Sequence, residues 1–214
     1  MSRLRRLNDY FSMLVVDHGL FREVYPNLFQ LSSEAYRSSQ PSPRQLRRYR
    51  RRFGIRTVVN LRGPNEFGSY RLERDACAQL GITMVDFRMG SRRLPLKETI
   101  REAARLFEEV EYPILMHCKA GADRVGLMSM LYLHLREGRP IRDLTQLHWK
   151  YGHFRTANTG LLDHFFEAYL RDTAEQPMTL LEWVERRYDR ERLRAAYRPR
   201  AVSSFVVDRI LRRE

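Results

Sequence analysis

The chain of 214 residues is poor in both cysteine and lysine, and holds no long apolar run. Two cysteines, Cys77 and Cys118, cannot build a disulfide framework, and no C-x-x-C pair or histidine-rich cluster proposes a metal site. The cytoplasm is therefore the expected compartment, and neither a metal nor a cofactor is expected. The start, MSRLRRLNDYFSMLVVDHG, has the charge of a signal peptide but not its core, which is only MLVV, hemmed in by Asn8, Asp9 and Asp17. No run approaches the roughly 20 apolar residues that cross a bilayer. Lysine is nearly absent: Lys97, Lys119 and Lys150 stand beside 36 arginines, so the net charge of +13 is almost wholly guanidinium.

That charge is uneven. The runs LRRYRRRF (46–53) and ERRYDRERLRAAYRPR (185–200) attract anionic phosphates, nucleic acid or an acidic lipid surface. Nothing in them reads bases, so nucleic acid is disfavoured as a partner and peripheral contact with an anionic membrane stays open. Hydrophobic content of 43% suits one well-buried core. The expected organisation is a main domain over residues 36–185. Residues 1–35 would lead into it or pack on it, and 186–214 would form a basic extension too charged to assign.

Strands alternate with helices from Ser42 onward. SPRQLRRYRRRFG offers a Ser cap, Pro43 at the first helical position, apolar Leu46, Tyr49 and Phe53 at helical spacing, and Gly54 as a stop. The β-rich run TVVNL (57–61) follows, then a helix near Tyr70–Leu80, then ITMVDF (82–87). A third helix, with Leu96, Ile100, Ala103, Ala104 and Phe107 on one face, leads to PILMH (113–117). Beyond it VGLMSMLYLHLREG (125–138) reads as a buried helix. Two amphipathic helices are expected after that, one carrying Ile141, Leu144, Leu147 and Tyr151, the other Leu161, Leu162, Phe165, Phe166 and Tyr169. The pattern predicts an α/β fold: a central, mostly parallel sheet of four to five strands flanked by helices, with a helical second half.

The loop HCKAGADRVG (117–126) lies between an apolar strand and an apolar helix, at the carboxyl edge where α/β sheets gather their ligands. In so arginine-rich a chain a cysteine has roughly a one in six chance of an arginine six residues on, so the spacing alone says little. Its context says more. Gly121 lets backbone N–H groups turn inward, and the following helix points its positive end at the same place, so the loop can cradle an oxyanion. A thiol at a helix N-terminus beside an arginine ionises well below about pH 8.5 and becomes a nucleophile. Arg124 offers a planar fork for two phosphate oxygens.

HCKAGADR resembles the His-Cys-x5-Arg signature of cysteine-dependent protein tyrosine and dual-specificity phosphatases. YRSSQP (36–41) and VVNLRGPNE (58–66) resemble segments of the small atypical dual-specificity-like members, and the likeness runs from about Tyr36 to Tyr169. It implies that Cys118 is the nucleophile, Arg124 the clamp, and Lys119, Ala120, Gly121, Ala122 and Asp123 the backbone cradle. It also implies a structural His117 behind the loop. Where the family usually has Ser or Thr after the arginine, this chain has Val125, which predicts slow release of the cysteine unless another donor such as Asn158 serves it.

Two carboxyls compete for the general acid: Asp86, 32 residues before Cys118, and Asp123, inside the signature as in phosphoinositide phosphatases with an Asp-Arg pair. Lys119 and Ala120 resemble the loop of enzymes acting on phosphoinositides. Arg62 and Arg88 follow the first and second strands and, with Arg92 and Arg93, are expected near the mouth. The implied substrate is a phosphorylated protein, mainly phosphotyrosine, or a phosphorylated lipid or inositol; the alternative is a slow-turnover phosphate reader. Cys77, His148, His153 and Trp149 are expected in packing or surface roles.

Overall fold

Ser42 caps the first helix read from the sequence: its hydroxyl accepts from Gln45 N while the Gln45 side chain accepts from Ser42 N at 2.9 Å, a reciprocal capping box. Gly54 closes the same helix with φ +69, a conformation that costs glycine nothing. The computed structural model describes residues 3–17 and 19–198. The fold is α/β, built on a five-strand, mostly parallel sheet. The chain divides into two compact units, Met1–Arg88 with Val110–Gly121, and Met89–Glu109 with Ala122–Glu214.

The first unit holds α1 (Arg3–Phe11), a π-turn at Ser12–Val16, α2 (Gly19–Val24), β1 (Phe29–Gln30), β2 (Ala35–Ser39), α3 (Pro43–Phe53), β3 (Thr57–Asn60), α4 (Gly68–Leu80), β4 (Thr83–Asp86) and β5 (Ile114–Cys118). The strand order is β1-β2-β5-β3-β4, antiparallel only at β1, so β5 lies in the middle with β2 and β3 beside it. Register pairs Ser39 with Cys118, and Asn60 with both His117 and Asp86. Tyr36, Leu46, Tyr49, Ile55, Val58, Ala76, Cys77, Ile82 and Leu115 form one buried cluster. Each of its aliphatic side chains gains about 1.5–3 kcal/mol by leaving water.

Sequence periodicity missed β2. Its five residues are all buried, and three of them, Arg37, Ser38 and Ser39, are polar, so neither alternation nor an apolar run marks it.

The second unit is helical: α5 (Lys97–Glu109), α6 (Asp123–Leu135), α7 (Leu161–Asp172), α8 (Leu180–Arg186) and α9 (Arg190–Ala196). Phe107 of α5 meets Tyr132 of α6 edge to face at 5.4 Å. Leu96 departs from expectation, since it precedes α5 and is exposed.

The expected amphipathic helix through Ile141–Tyr151 is absent. The segment forms two short 3₁₀ turns, Ile141–Asp143 and Trp149–Tyr151, with Leu144 extended between them. Ile141, Leu144 and Tyr151 are buried nonetheless, so tertiary packing takes up the apolar spacing without a helix. A Cβ on Gly126 would lie 2.8 Å from Leu147 Cδ2 and 3.0 Å from Gln146 O, which shows how closely this irregular chain runs along α6.

Beyond Arg186, where charge hid any pattern, Tyr188 is buried against Trp183 and Phe165 and its hydroxyl donates to Pro95 O at 2.8 Å. Asp189 then caps α9. Residues 199–200 of the basic run lie outside the described residues.

Candidate active site

Cys118 is the last residue of β5 and is nearly buried. The chain then turns, and the carbonyls of the turn are all held from behind. Lys119 O accepts from Gln40 N at 3.2 Å, Ala120 O and Gly121 O each accept from Asn27 Nδ2 at 2.9 Å, and Gly121 O also accepts from Arg37 at 2.9 Å. In a trans peptide C=O and N–H point opposite ways. Anchoring the carbonyls of Lys119 and Ala120 therefore aims the N–H groups of Ala120 and Gly121 away from the sheet, as an anion cradle requires. Gly121 has φ +73, and a Cβ there would lie 2.7 Å from Ser39 N and 2.9 Å from Asn27 Nδ2, so only glycine fits.

Asn27 and Arg37 were missed by the sequence reading. Asn27 precedes β1, and Arg37 is fully buried in β2 with no partner visible from spacing. The only local signal is Pro26-Asn27, a turn pair, and Asn27 does adopt φ +47.

Behind the cysteine, His117 Nε2 lies 2.7 Å from Glu73 Oε1, and both side chains are fully buried. Glu73 Oε2 accepts from Gln40 Nε2 at 2.7 Å, tying α4 to the segment that also holds Lys119 O. His117 thus occupies the structural place expected of it. Cys77 is buried on α4, where burial and the Glu73 charge push its thiol far up, away from reactivity.

Beside the loop, Asp17 gathers cations. It takes Arg62 at 2.7 Å, Arg22 at 3.1 Å and Lys119 Nζ at 3.6 Å, and its Oδ2 accepts from the Ser69 hydroxyl at 2.7 Å. Burial alone would raise the Asp17 carboxyl, but the Arg62 hydrogen bond and charge, the Arg22 charge and Ser69 prevail and hold it at about 2. Lys119 is lowered by burial and by Arg62 and Arg22, against the pull of Asp17. Arg62, expected near the mouth, is therefore buried, and Asp17 and the Gln40 side-chain oxygen both take its guanidinium. Arg88 is exposed, and its stem runs over Gly63 in the turn after β3, so it lies near the edge where Arg62 begins.

Asp86 ends β4 and is exposed. Its Oδ1 accepts from Asn60 Nδ2 and its Oδ2 from the Tyr70 hydroxyl, both at 2.7 Å. Partial burial and the Asp86 carboxylate push Tyr70 up to about 12, so it remains a donor.

In the second unit the signature continues into α6, whose first residue is Asp123. Asp123 is buried, and its Oδ1 lies 2.7 Å from His153 Nδ1, while His153 Nε2 lies 2.6 Å from Asp163 Oδ2. Burial opposes a charge on His153, but hydrogen bonds and charges from the two carboxylates prevail and push it up to about 9. At neutral pH the imidazolium donates to both, so Asp123 is an acceptor whose near oxygen is already engaged. His153, expected in a packing role, is the buried hub of a trio with buried Asp123 and half-buried Asp163. Arg124 is half-buried in the first turn of α6, Val125 is fully buried, and Asn158 opens a short turn, Asn158–Gly160, ahead of α7. Ala122 caps α6. Arg92 lies in the half of the chain that leads to α5 and is exposed, as is Arg93.

Among the described residues no cluster of three or more His, Cys, Asp or Glu side chains forms a metal site, and no helix is long and apolar enough to cross a membrane.

A family model described as "DSP-PTPase phosphatase fused to NAD+ Kinase" matches residues 28–159. No curated protein sequence matches the chain. Among solved structures it is similar to P. aeruginosa TpbA, at 21% identity over 79% of this chain and 89% of that one, with a TM-score of 0.50. Tk-PTP in its active form is 20% identical over 67% of this chain and 98% of that one, with a TM-score of 0.49. The core catalytic domain of the S. cerevisiae PP-IP phosphatase SIW14 is 19% identical over 79% and 90%, with a TM-score of 0.47. These likenesses concern the fold. The family match spans more than half of the chain and includes both Cys118 and Arg124, and on that ground the chain belongs to the dual-specificity-type phosphatases described as DSP-PTPase phosphatase fused to NAD+ kinase.

Proposed function

We propose that the chain hydrolyses phosphate monoesters through a phosphocysteine at Cys118. The observation that carries this reading is the loop after β5: its carbonyls are held from behind by Gln40, Asn27 and Arg37, so its amides face the opposite way, next to a cysteine at the carboxyl end of the central strand. In this scheme the Cys118 thiolate attacks phosphorus, the S–P bond forms as the P–O bond to the leaving group breaks, and the leaving oxygen takes a proton from a carboxyl group. Water then attacks the phosphocysteine and gives its proton to the same carboxylate, and the S–P bond breaks to free phosphate and thiolate. Arg124 and the loop amides of Lys119, Ala120, Gly121 and Ala122 take the charge that develops on the phosphoryl oxygens. The scheme draws on no metal and no cofactor.

Asp86 is the preferred acid. It is exposed and oriented by Asn60 and Tyr70, whereas Asp123 is buried beneath the imidazolium of His153. We assign Asp123 a positioning role, as the first residue of α6 held by His153.

A phosphorylated protein, chiefly phosphotyrosine, is the first substrate reading. A phosphoinositide or inositol phosphate is the second, and the observation favouring it is the group beside Cys118: three cations, Arg22, Arg62 and Lys119, share one carboxylate, Asp17, which leaves positive charge for a further phosphate. Arg88 would add to it at the rim. The test is a panel of phosphotyrosine peptides, phosphoinositides and inositol phosphates, assayed in chelator with wild type and Cys118→Ser. The reading expects phosphate release by wild type only. Binding without release by either protein would instead make the loop a phosphate reader.

A further inference from the structure

The N-terminal segment is built inside out. Three of its charged residues point inward: Asp9 is buried and bonds Arg71 of α4, Asp17 is buried among Arg22, Arg62 and Lys119, and Arg22 is itself buried. The Ser12 hydroxyl accepts from Gly68 N at 3.1 Å, and Met13 is buried, so the segment is firmly seated. Seven of its large apolar residues point outward. Leu7, Phe11 and Val15 recur every four residues and are exposed, with Phe11 at 63%. Val16, Leu20 and Val24 repeat the spacing, with Leu20 at 66% and Val24 at 82%, and Tyr25 follows them. Soluble surfaces normally bury such residues and expose the charged ones, and a face of this kind marks a place where something binds.

The charge around that face selects the occupant. The Gln45 side chain of α3 donates to Arg22 O of α2 at 3.0 Å, so the two helices are neighbours. α3 exposes Arg44, Arg47, Arg48, Arg51 and Arg52, and its sequence PRQLRRYRRRF contains no acidic residue. Arg5 and Arg6 are exposed on α1, whereas Asp9 and Asp17 are buried and Glu23 of α2, half-buried, is the one further acid of the segment against these arginines. A second copy would bring like charge against like charge. We infer that α1, α2 and α3 form a docking surface for an anionic phospholipid bilayer, with Phe11, Leu20 and Val24 entering the acyl boundary and the arginines of α3 meeting the lipid phosphates. The inference is independent of the phosphocysteine chemistry.

The test is co-sedimentation of the full chain with vesicles of phosphatidylcholine and with vesicles of equal parts phosphatidylcholine and phosphatidylserine. Binding is expected to the mixed vesicles and to be about ten-fold or more weaker to the neutral ones. A Leu20→Asp, Val24→Asp pair and an Arg47→Glu, Arg48→Glu pair should each weaken it by about ten-fold. Hydrolysis of p-nitrophenyl phosphate and the thermal midpoint should stay at wild-type values in both. If the aspartate pair melts early, Val24→Ser at the most exposed position replaces it under the same criterion. Equal binding to both vesicles, no binding, or an apolar variant that binds like wild type would each overturn the inference. So would a dimer broken by the apolar variants in a protein that ignores vesicles.

Discussion

His153 should make folding stability fall as pH rises through the range where most proteins are indifferent. Its ring is almost wholly buried and lies 2.7 Å from Asp123 and 2.6 Å from Asp163. An unfolded histidine titrates near 6.5, and this one is pushed up to about 9, against burial, by its two carboxylates. At about 1.4 kcal/mol for each tenfold change in proton affinity, that difference is worth roughly 3 kcal/mol. Because the folded value is the higher one, the contribution is complete below pH 6.5, declines between 6.5 and 9, and is gone above 9. Urea unfolding monitored at half-unit intervals from pH 6 to 9.5 reads this directly. Wild type should lose roughly 3 kcal/mol across the window. His153→Gln should be destabilised by a similar amount at pH 6 and should converge on wild type at pH 9.5. A flat wild-type profile, or an unchanged slope in His153→Gln, would refute the assignment of a charged trio.

Asp17→Ala strips the counter-charge from Arg22 and Arg62 and should cost about 3–5 kcal/mol, measured by denaturant midpoint, with Asp17→Asn recovering part of it. Gly121→Ala forces a Cβ into Ser39 N and Asn27 at a positive φ, and single-turnover kinetics should show hydrolysis falling by about 100-fold, in keeping with about an ångström of misplacement at the reacting centre. Asp86→Asn should slow hydrolysis of alkyl phosphates about 100-fold or more while sparing esters whose leaving group needs no proton; the same pattern in Asp123→Asn instead would transfer the role. Val125→Thr, placing a hydroxyl at the start of α6, should raise turnover, and a burst-phase assay that finds unchanged breakdown of the intermediate would remove Val125 as its limit.

Where the sequence carries a local rule, it was legible. The Ser42 to Gly54 helix was read with its cap, first proline and stop, because each depends on neighbours within four residues. The runs at 57–61 and 82–87 became β3 and β4, and the apolar stretch before Cys118 became β5. What escaped depends on contacts between distant positions. β2 is a buried polar strand, so neither period 2 nor apolarity announces it. Asn27 and Arg37 reach loop carbonyls 84 to 94 residues away, and Asp17 finds Arg62 across 45 residues. The segment 141–151 has helical spacing without a helix, because burial asks only that Ile141, Leu144 and Tyr151 reach the core. His153 was indistinguishable from a packing histidine, since its partners Asp123 and Asp163 lie 30 and 10 residues off in the chain.

The central claim, a covalent phosphocysteine, is tested most directly by acid-quenching the chain during hydrolysis of a ³²P-labelled phosphate ester in chelator and mapping the label by peptide mass. The account predicts a phosphorylated peptide bearing Cys118 in wild type, accumulated because Val125 lacks a hydroxyl, and no label in Cys118→Ser. Phosphate release by wild type with no label on Cys118, or release that survives Cys118→Ser, would contradict it.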